Sequence, residues 1–166
     1  MILINQFKSF RVDLLKKEKV LDEIDRNILR ILQNDARTSY REIQDKLGIS
    51  IGTIHNRITK LKKTGVIEGY TLRLNNEKLG YKLTFLIRIN VDGKFTEEIL
   101  SDISKKPEVC SVFHTTGEQS AALICRFKES AQVHDFIREL NAKDYVKRTN
   151  SNMILKEYKN TSFVEI

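Results

Sequence analysis

Only three residues, Gly48, Ile49 and Ser50, separate the end of one helical periodicity from the start of the next. So short a link cannot fold two helices back antiparallel, but it suits the sharp bend of a helix-turn-helix. Before the link, "SYREIQDKLG" has Ser39 and Glu42 at capping-box spacing, Tyr40, Ile43 and Leu47 on one face, and Gly48 as a natural stop. After it, Ser50 is the expected N-cap, Ile54, Ile58 and Leu61 form an apolar stripe, and Gly65 ends the helix. Upstream, "LDEIDRNILRILQND" supplies a first helix, with Asp22 as N-cap, Asp25 three residues on, and Ile24, Ile28, Ile31 and Leu32 on the buried side.

Beyond Gly65 the period changes from helical to two. In "VIEGYTLRL", Val66, Tyr70, Leu72 and Leu74 fall on one side, which predicts a strand or wing. "NNEKLGY" reads as a turn-rich hinge. "KLTFLIRINV" is then a strand, "TEEILSDISKK" a helix, "EVCSVFHTT" and "SAALICRF" strands, "SAQVHDFIREL" a helix and "NSNMILKEY" a last strand. The order β-α-β-β-α-β fits one sheet with two helices on one face, the ferredoxin-like arrangement. The fold expected is therefore α+β: a helix-turn-helix unit over residues 21–68, a connecting strand and hinge over 69–81, a ferredoxin-like domain over 82–160, and a tail over 161–166. Residues 1–20, with Phe7, Phe10 and Leu14 beside Lys16, Lys17 and Lys19, read equally well as a basic arm or a packed extra helix.

Charge separates the two halves. Residues 1–74 carry 15 Lys/Arg against 9 Asp/Glu, whereas residues 75–166 carry 14 against 13. The basic excess of a chain with net charge +7 thus lies almost wholly in the helical half, as suits a polyanion-binding module joined to a domain with another task. Its centre is "SIGTIHNRITKLKKTGVIEGY", which holds Arg57, Lys60, Lys62 and Lys63 but one acid, Glu68.

Helical rotation sets this charge opposite the Ile54–Ile58–Leu61 stripe. Gly52, Thr53, Asn56, Lys60 and Lys63 face outward, Arg57 flanks the core edge, and His55 lies beside the outward face. A merely solvated face usually mixes signs, because i,i+4 acid–base pairs stabilise a helix. Like-charged neighbours are unfavourable alone, but a major groove neutralises them with phosphates and offers base edges to Asn and Arg. Thr53, Asn56 and Arg57 are thus expected to read base edges, with the small Gly52 and Thr53 permitting close approach and the N-cap Ser50 within the contact set. Lys60, Lys62 and Lys63 are expected at the phosphate backbone, with His55 as a phosphate contact. Ser39, Tyr40 and Arg41 open the second helix, whose N-terminal amides are expected to hold a phosphate.

No apolar run reaches the roughly 18–20 residues a membrane span needs, and the first residues carry no secretory signal, so a cytoplasmic, nucleoid-associated protein is expected. Cys110 and Cys125 sit in strand-like runs without metal-ligand spacing and are expected as core or sheet residues. Three histidines and no visible base–nucleophile pair argue against an enzyme, and neither cofactor nor metal is expected.

The stretch from Leu21 to Tyr81 resembles the N-terminal domain of the Lrp/AsnC, or feast/famine, regulators. The likeness rests on "LDEID", "ARTSYREI", "LGIS" followed by "NRI", "GVIEGY" and "LNNEKLGY". The β-α-β-β-α-β remainder is similar to the same family's effector and oligomerisation domain. The resemblance implies a winged helix-turn-helix transcription regulator on double-stranded DNA, with the third helix in the major groove. It also implies homodimers formed through the second domain's sheet, often assembled into octamers, and an amino acid or related metabolite as effector. Members often carry "GEYD" in the effector-site turn. Here Gly117 and Glu118 match, while Gln119 and Ser120 replace the aromatic and the aspartate. With His114 and Thr116 these residues form the candidate effector site, for a different metabolite, through an altered amino-acid site, or with no effector at all. Two rivals stand beside the regulator: an architectural, chromatin-like DNA-binding protein, and an enzyme similar to the Lrp-like tetrapyrrole decarboxylases.

Overall fold

The computed structural model describes residues 21–161 and 163–166, so both expectations for residues 1–20 lie outside the described residues. Two compact units emerge: one from residues 21–72 together with the tail beyond residue 160, the other Arg73–Asn160. The division thus falls at the start of the predicted hinge region, and the tail belongs with the helical unit.

In the first unit, α1 (Glu23–Asn34), α2 (Tyr40–Leu47) and α3 (Ile51–Lys63) follow one another. Each is started by the side chain the sequence offers for it. Asp22 Oδ1 accepts the Asp25 amide at 2.8 Å. Ser39 Oγ accepts the Glu42 amide while Glu42 Oε2 accepts the Ser39 amide, closing the capping box. Ser50 Oγ accepts the Thr53 amide. Gly48, at φ +66°, ends α2 in a left-handed conformation that a β-carbon would strain, and so makes the tight bend possible. The core joins Ile28, Ile43, Ile54 and Ile58, with Ile24, Ile31, Leu32, Tyr40, Leu47, Ile49 and Ile67 packed around it. At the tail, the Gln33 and Arg30 side chains donate to the backbone carbonyls of Val164 and Ile166.

The predicted strand over Val66–Leu74 does not form among the described residues. The Val66 and Ile67 amides both donate to the Leu61 carbonyl, which turns the chain as it leaves α3. Beyond that turn no strand of the described residues lies alongside to accept the ladder bonds of an extended segment, and a strand without a partner is not stable. The apolar side chains meant for one buried face are exposed instead, with Leu72 79% accessible.

The second unit contains β1 (Leu83–Val91), α4 (Thr96–Ser104), β2 (Val109–His114), β3 (Ala121–Phe127), α5 (Ser130–Asn141) and β4 (Val146–Met153). The sheet order is β2-β3-β1-β4 with antiparallel neighbours, as the ferredoxin-like reading requires. Alternation along the central strands divides its faces: Ile87, Ile89, Leu123, Cys125 and Phe127 point into the core with Ile103, Phe136 and Leu140. Leu86 pairs with Ile124 on the opposite face. The last strand differs from expectation: it runs from Val146 rather than Asn150 and ends at Met153, not Tyr158. "VKRT" lacks a strand pattern of its own, but β4 is an edge strand whose residues are mostly exposed, and its pairing with β1 from Phe85–Met153 to Val91–Val146 supplies the stability. Both cysteines lie in strands, but only Cys125 is buried; burial, followed by the nearby Cys110 and Glu108, pushes its thiol up to about 12.

Because Ile58 is 2% accessible in the small core that orients α3, Ile58→Ala should cost about 2–5 kcal/mol of stability. Denaturant unfolding of the helical unit should show this as a lower midpoint with an unchanged slope.

Candidate nucleic-acid interface

The interface is built on α3. Ile54, Ile58 and Leu61 are 0%, 2% and 1% accessible, so the inward direction is fixed. Gly52, Thr53, Asn56, Lys60 and Lys63 are exposed on the other side. Among the described residues, Lys60 and Lys63 take part in no ion pair. The small-to-cationic face read from the helical rotation is therefore present and solvent-facing.

Several predicted contacts sit differently. Ser50 Oγ is occupied, taking the Thr53 amide and sharing a hydrogen bond with Thr53 Oγ1 at 2.9 Å. Ser39 is likewise engaged in its capping box. Tyr40 packs on the isoleucine core, and its ring meets His55 edge-on at 6.0 Å, while Arg41, like the capping Ser39, is exposed. The Lys62 ammonium lies 4.9 Å from the centre of the Tyr70 ring, a cation–π contact that draws it toward the segment after α3.

Arg57 departs furthest from its expected role. Its Nη1 donates to Asp22 Oδ1 and Oδ2 at 2.8 and 2.6 Å and to Asp25 Oδ1 at 2.7 Å. The guanidinium is therefore turned back on the start of α1 rather than out along the reading face, and the cationic run is neutralised at this one position. The sequence reading placed Asp22 and Asp25 at the start of the first helix but missed both as partners of Arg57. Asp25 precedes Ile28 by three residues and Leu29 by four, so a helical projection sets it on the buried stripe, where its side chain is only 3% accessible. A charged residue on an apolar face was the available signal, because a buried carboxylate requires a partner.

The candidate effector turn lies wholly within the second unit. His114 ends β2 exposed, Thr116 and Glu118 are exposed, and Gly117 holds φ +105°, a conformation open to glycine. The turn is tied down by bonds from the Thr115 amide to the Ser120 carbonyl and from Thr115 Oγ1 to the Gln119 carbonyl. Asn90 Nδ2 donates to the Glu118 carbonyl. Ser120 is not available as a ligand group: its hydroxyl accepts the Val91 amide and donates to the Val91 carbonyl, both at 3.1 Å. Gln119 Oε1 is buried without a partner among the described residues. No three His, Cys, Asp or Glu side chains converge as a metal site among the described residues, and none of their helices is long and apolar enough to cross a membrane.

The Arg57 hydrogen bonds, followed by the Asp25 amide, hold the Asp22 carboxyl below its ordinary range, and the Ser39 amide does the same for Glu42. Such groups stabilise the fold above their unfolded-state values, and the contribution is lost as pH falls through the depressed folded-state values. Carboxyl-carbon NMR titration should show both groups below the usual carboxylate range. Arg57→Ala should return Asp22 toward that range and leave Glu42 where it was.

Comparison with known proteins joins these features. Residues 21–68 match the winged helix-turn-helix DNA-binding family, and residues 84–164 match the Lrp/AsnC ligand binding domain. An HTH-type transcriptional regulator of Pyrococcus abyssi is 41% identical over 140 residues, covering 84% of this chain and 95% of its own. The structure of Escherichia coli AsnC is similar with a TM-score of 0.80 at 28% identity, covering 87% of this chain and 98% of its own. That of a Neisseria meningitidis transcriptional regulator in complex with L-Met gives 0.81 at 27% identity, covering 86% and 95%. The chain belongs to the Lrp/AsnC family of transcriptional regulators, with a helix-turn-helix DNA-binding domain followed by a ligand-binding domain.

Proposed function

We propose that this regulator binds specific double-stranded DNA sequences as a homodimer, with α3 of each protomer in the major groove. The observation that carries the reading is the outward face of α3, where exposed Thr53 and Asn56 precede Lys60 and Lys63 opposite a fully buried stripe. Thr53 and Asn56 reach base edges; Lys60, Lys63 and Arg41 hold phosphates, with Lys62 and His55 at the margin. Two such helices enter successive major grooves about one turn, roughly 34–36 Å, apart on a (pseudo)palindromic site. Dimer formation is supported by the sheet face that the two helices leave open, carrying Leu86, Ile124 and the half-exposed Phe113, and by exposed Leu155 and Tyr158. Octamers are four such dimers. The protein then works in the cytoplasm on the nucleoid, as a regulator without a catalytic role.

The effector is an amino acid or related metabolite bound at the 114–120 turn. The L-Met bound by the Neisseria relative supports this, and Gln119, whose Oε1 is buried without a partner among the described residues, offers an acceptor for an ammonium once the side chain turns outward, where Ser120 is already committed. Glu118, exposed in the same turn, supplies the negative charge.

The test separates reading from holding. Lys63→Ala should weaken target and random duplexes alike and lower the salt slope by about one unit. Asn56→Ala should reduce discrimination by about five-fold or more while leaving random-duplex affinity unchanged. Equal losses on both duplexes would remove Asn56 from the base-reading set. Footprints with uniform coating would point instead to an architectural protein, and a Soret band shift on adding sirohaem would point to the decarboxylase-like reading.

A further inference from the structure

The ion cluster that removes Arg57 from the reading face has a use of its own. Arg57 sits in the middle of α3, and its two partners are the cap residue and the third residue of α1. One of them, Asp22, is also the group whose Oδ1 holds the Asp25 amide, so the same carboxylate starts α1 and grips α3. The other, Asp25, is buried and therefore must be matched by a cation at a definite place. The isoleucines alone would hold α3 against α1 but would let it roll and slide by small amounts, since dispersion and burial are non-directional. A guanidinium held between two carboxylates at 2.6–2.8 Å is directional.

We propose that Arg57, acting through Asp22 and Asp25, is a positioning residue that sets the roll of α3 and so aims Thr53 and Asn56 at the bases. It does not itself touch DNA. This rests on the reading of α3 as the major-groove helix. The depressed carboxyl of Asp22 agrees with a charge-assisted grip, and Asp22 remains half-exposed, so it can be altered without opening the core.

The proposal is tested by the ratio of target to random duplex affinity in the full chain, for wild type, Asp22→Ser, Arg57→Lys and the double variant. Serine keeps the N-cap of α1, and lysine keeps a cation against Asp25 while its shorter side chain and non-planar head change the geometry of the grip. Thermal melts choose a temperature at which all four are folded. Each single change should lower the ratio about three- to tenfold, and the double variant should lose no more than the worse single, because both act through one grip. Random-duplex affinity and salt slope should not fall with Asp22→Ser, which removes no cation. An unchanged ratio in Asp22→Ser would overturn the proposal and leave the cluster a stabilising contact only. Multiplying losses would overturn it in favour of Arg57 as a direct base reader. A wild-type chain that prefers no duplex would instead sink the sequence-specific reading of α3, and this proposal with it.

Discussion

The orientation of α3 depends on a patch of four isoleucines. Ile28, Ile43, Ile54 and Ile58 come from all three helices and are at most 2% accessible, each contributing roughly 1.5–3 kcal/mol on burial. They are β-branched and stiff, so they fill space without adapting to it. Once Ile54 and Ile58 are inside, the pitch of the helix leaves Thr53, Asn56, Lys60 and Lys63 no direction but outward. The face left to solvent is the complement of the face offered to the core.

Electrostatics then refine what packing has set. Adjacent like charges cost an isolated helix about 0.2–0.5 kcal/mol per pair, which is small beside the burial that holds α3 in place. The domain can therefore carry an uncompensated cationic run. Among the described residues it compensates at Arg57, where two acids of α1 reach across, and this is also the position at which a buried carboxylate would otherwise stand unpaired.

In the second unit the same economy of faces appears in a sheet. The helices cover one side, where Phe127 meets Phe85 and Phe136 edge-on, and leave the pleat's other side to Leu86 and Ile124. The turn between β2 and β3 is held to the end of β1 through Ser120 and Asn90. Ser120 commits its hydroxyl to the amide and carbonyl of Val91, so the turn and the end of β1 are joined through backbone groups.

Local signals made much of this legible. Caps at Asp22, Ser39 and Ser50, the stop at Gly48 and the stripes of α2 and α3 depend on residues within a few positions of one another, and a single chain read in order displays them. The β-α-β-β-α-β order was legible for the same reason, as period two and period 3.6 are local patterns. The strand expected over 66–74 and the bounds of β4 were not, because a strand exists only where another lies beside it, and "VKRT" owes its strand to β1. The tail's attachment to α1 and the Lys62–Tyr70 contact were equally hidden.

The amino-acid sequence by itself determined that three helices form, where they start and stop, and that α3 carries cations opposite an apolar stripe. Tertiary structure alone decided which of those cations remain available. Arg57 and its acids lie 35 and 32 residues apart, and Coulomb attraction depends on distance in space, which only the packing of α1 against α3 sets.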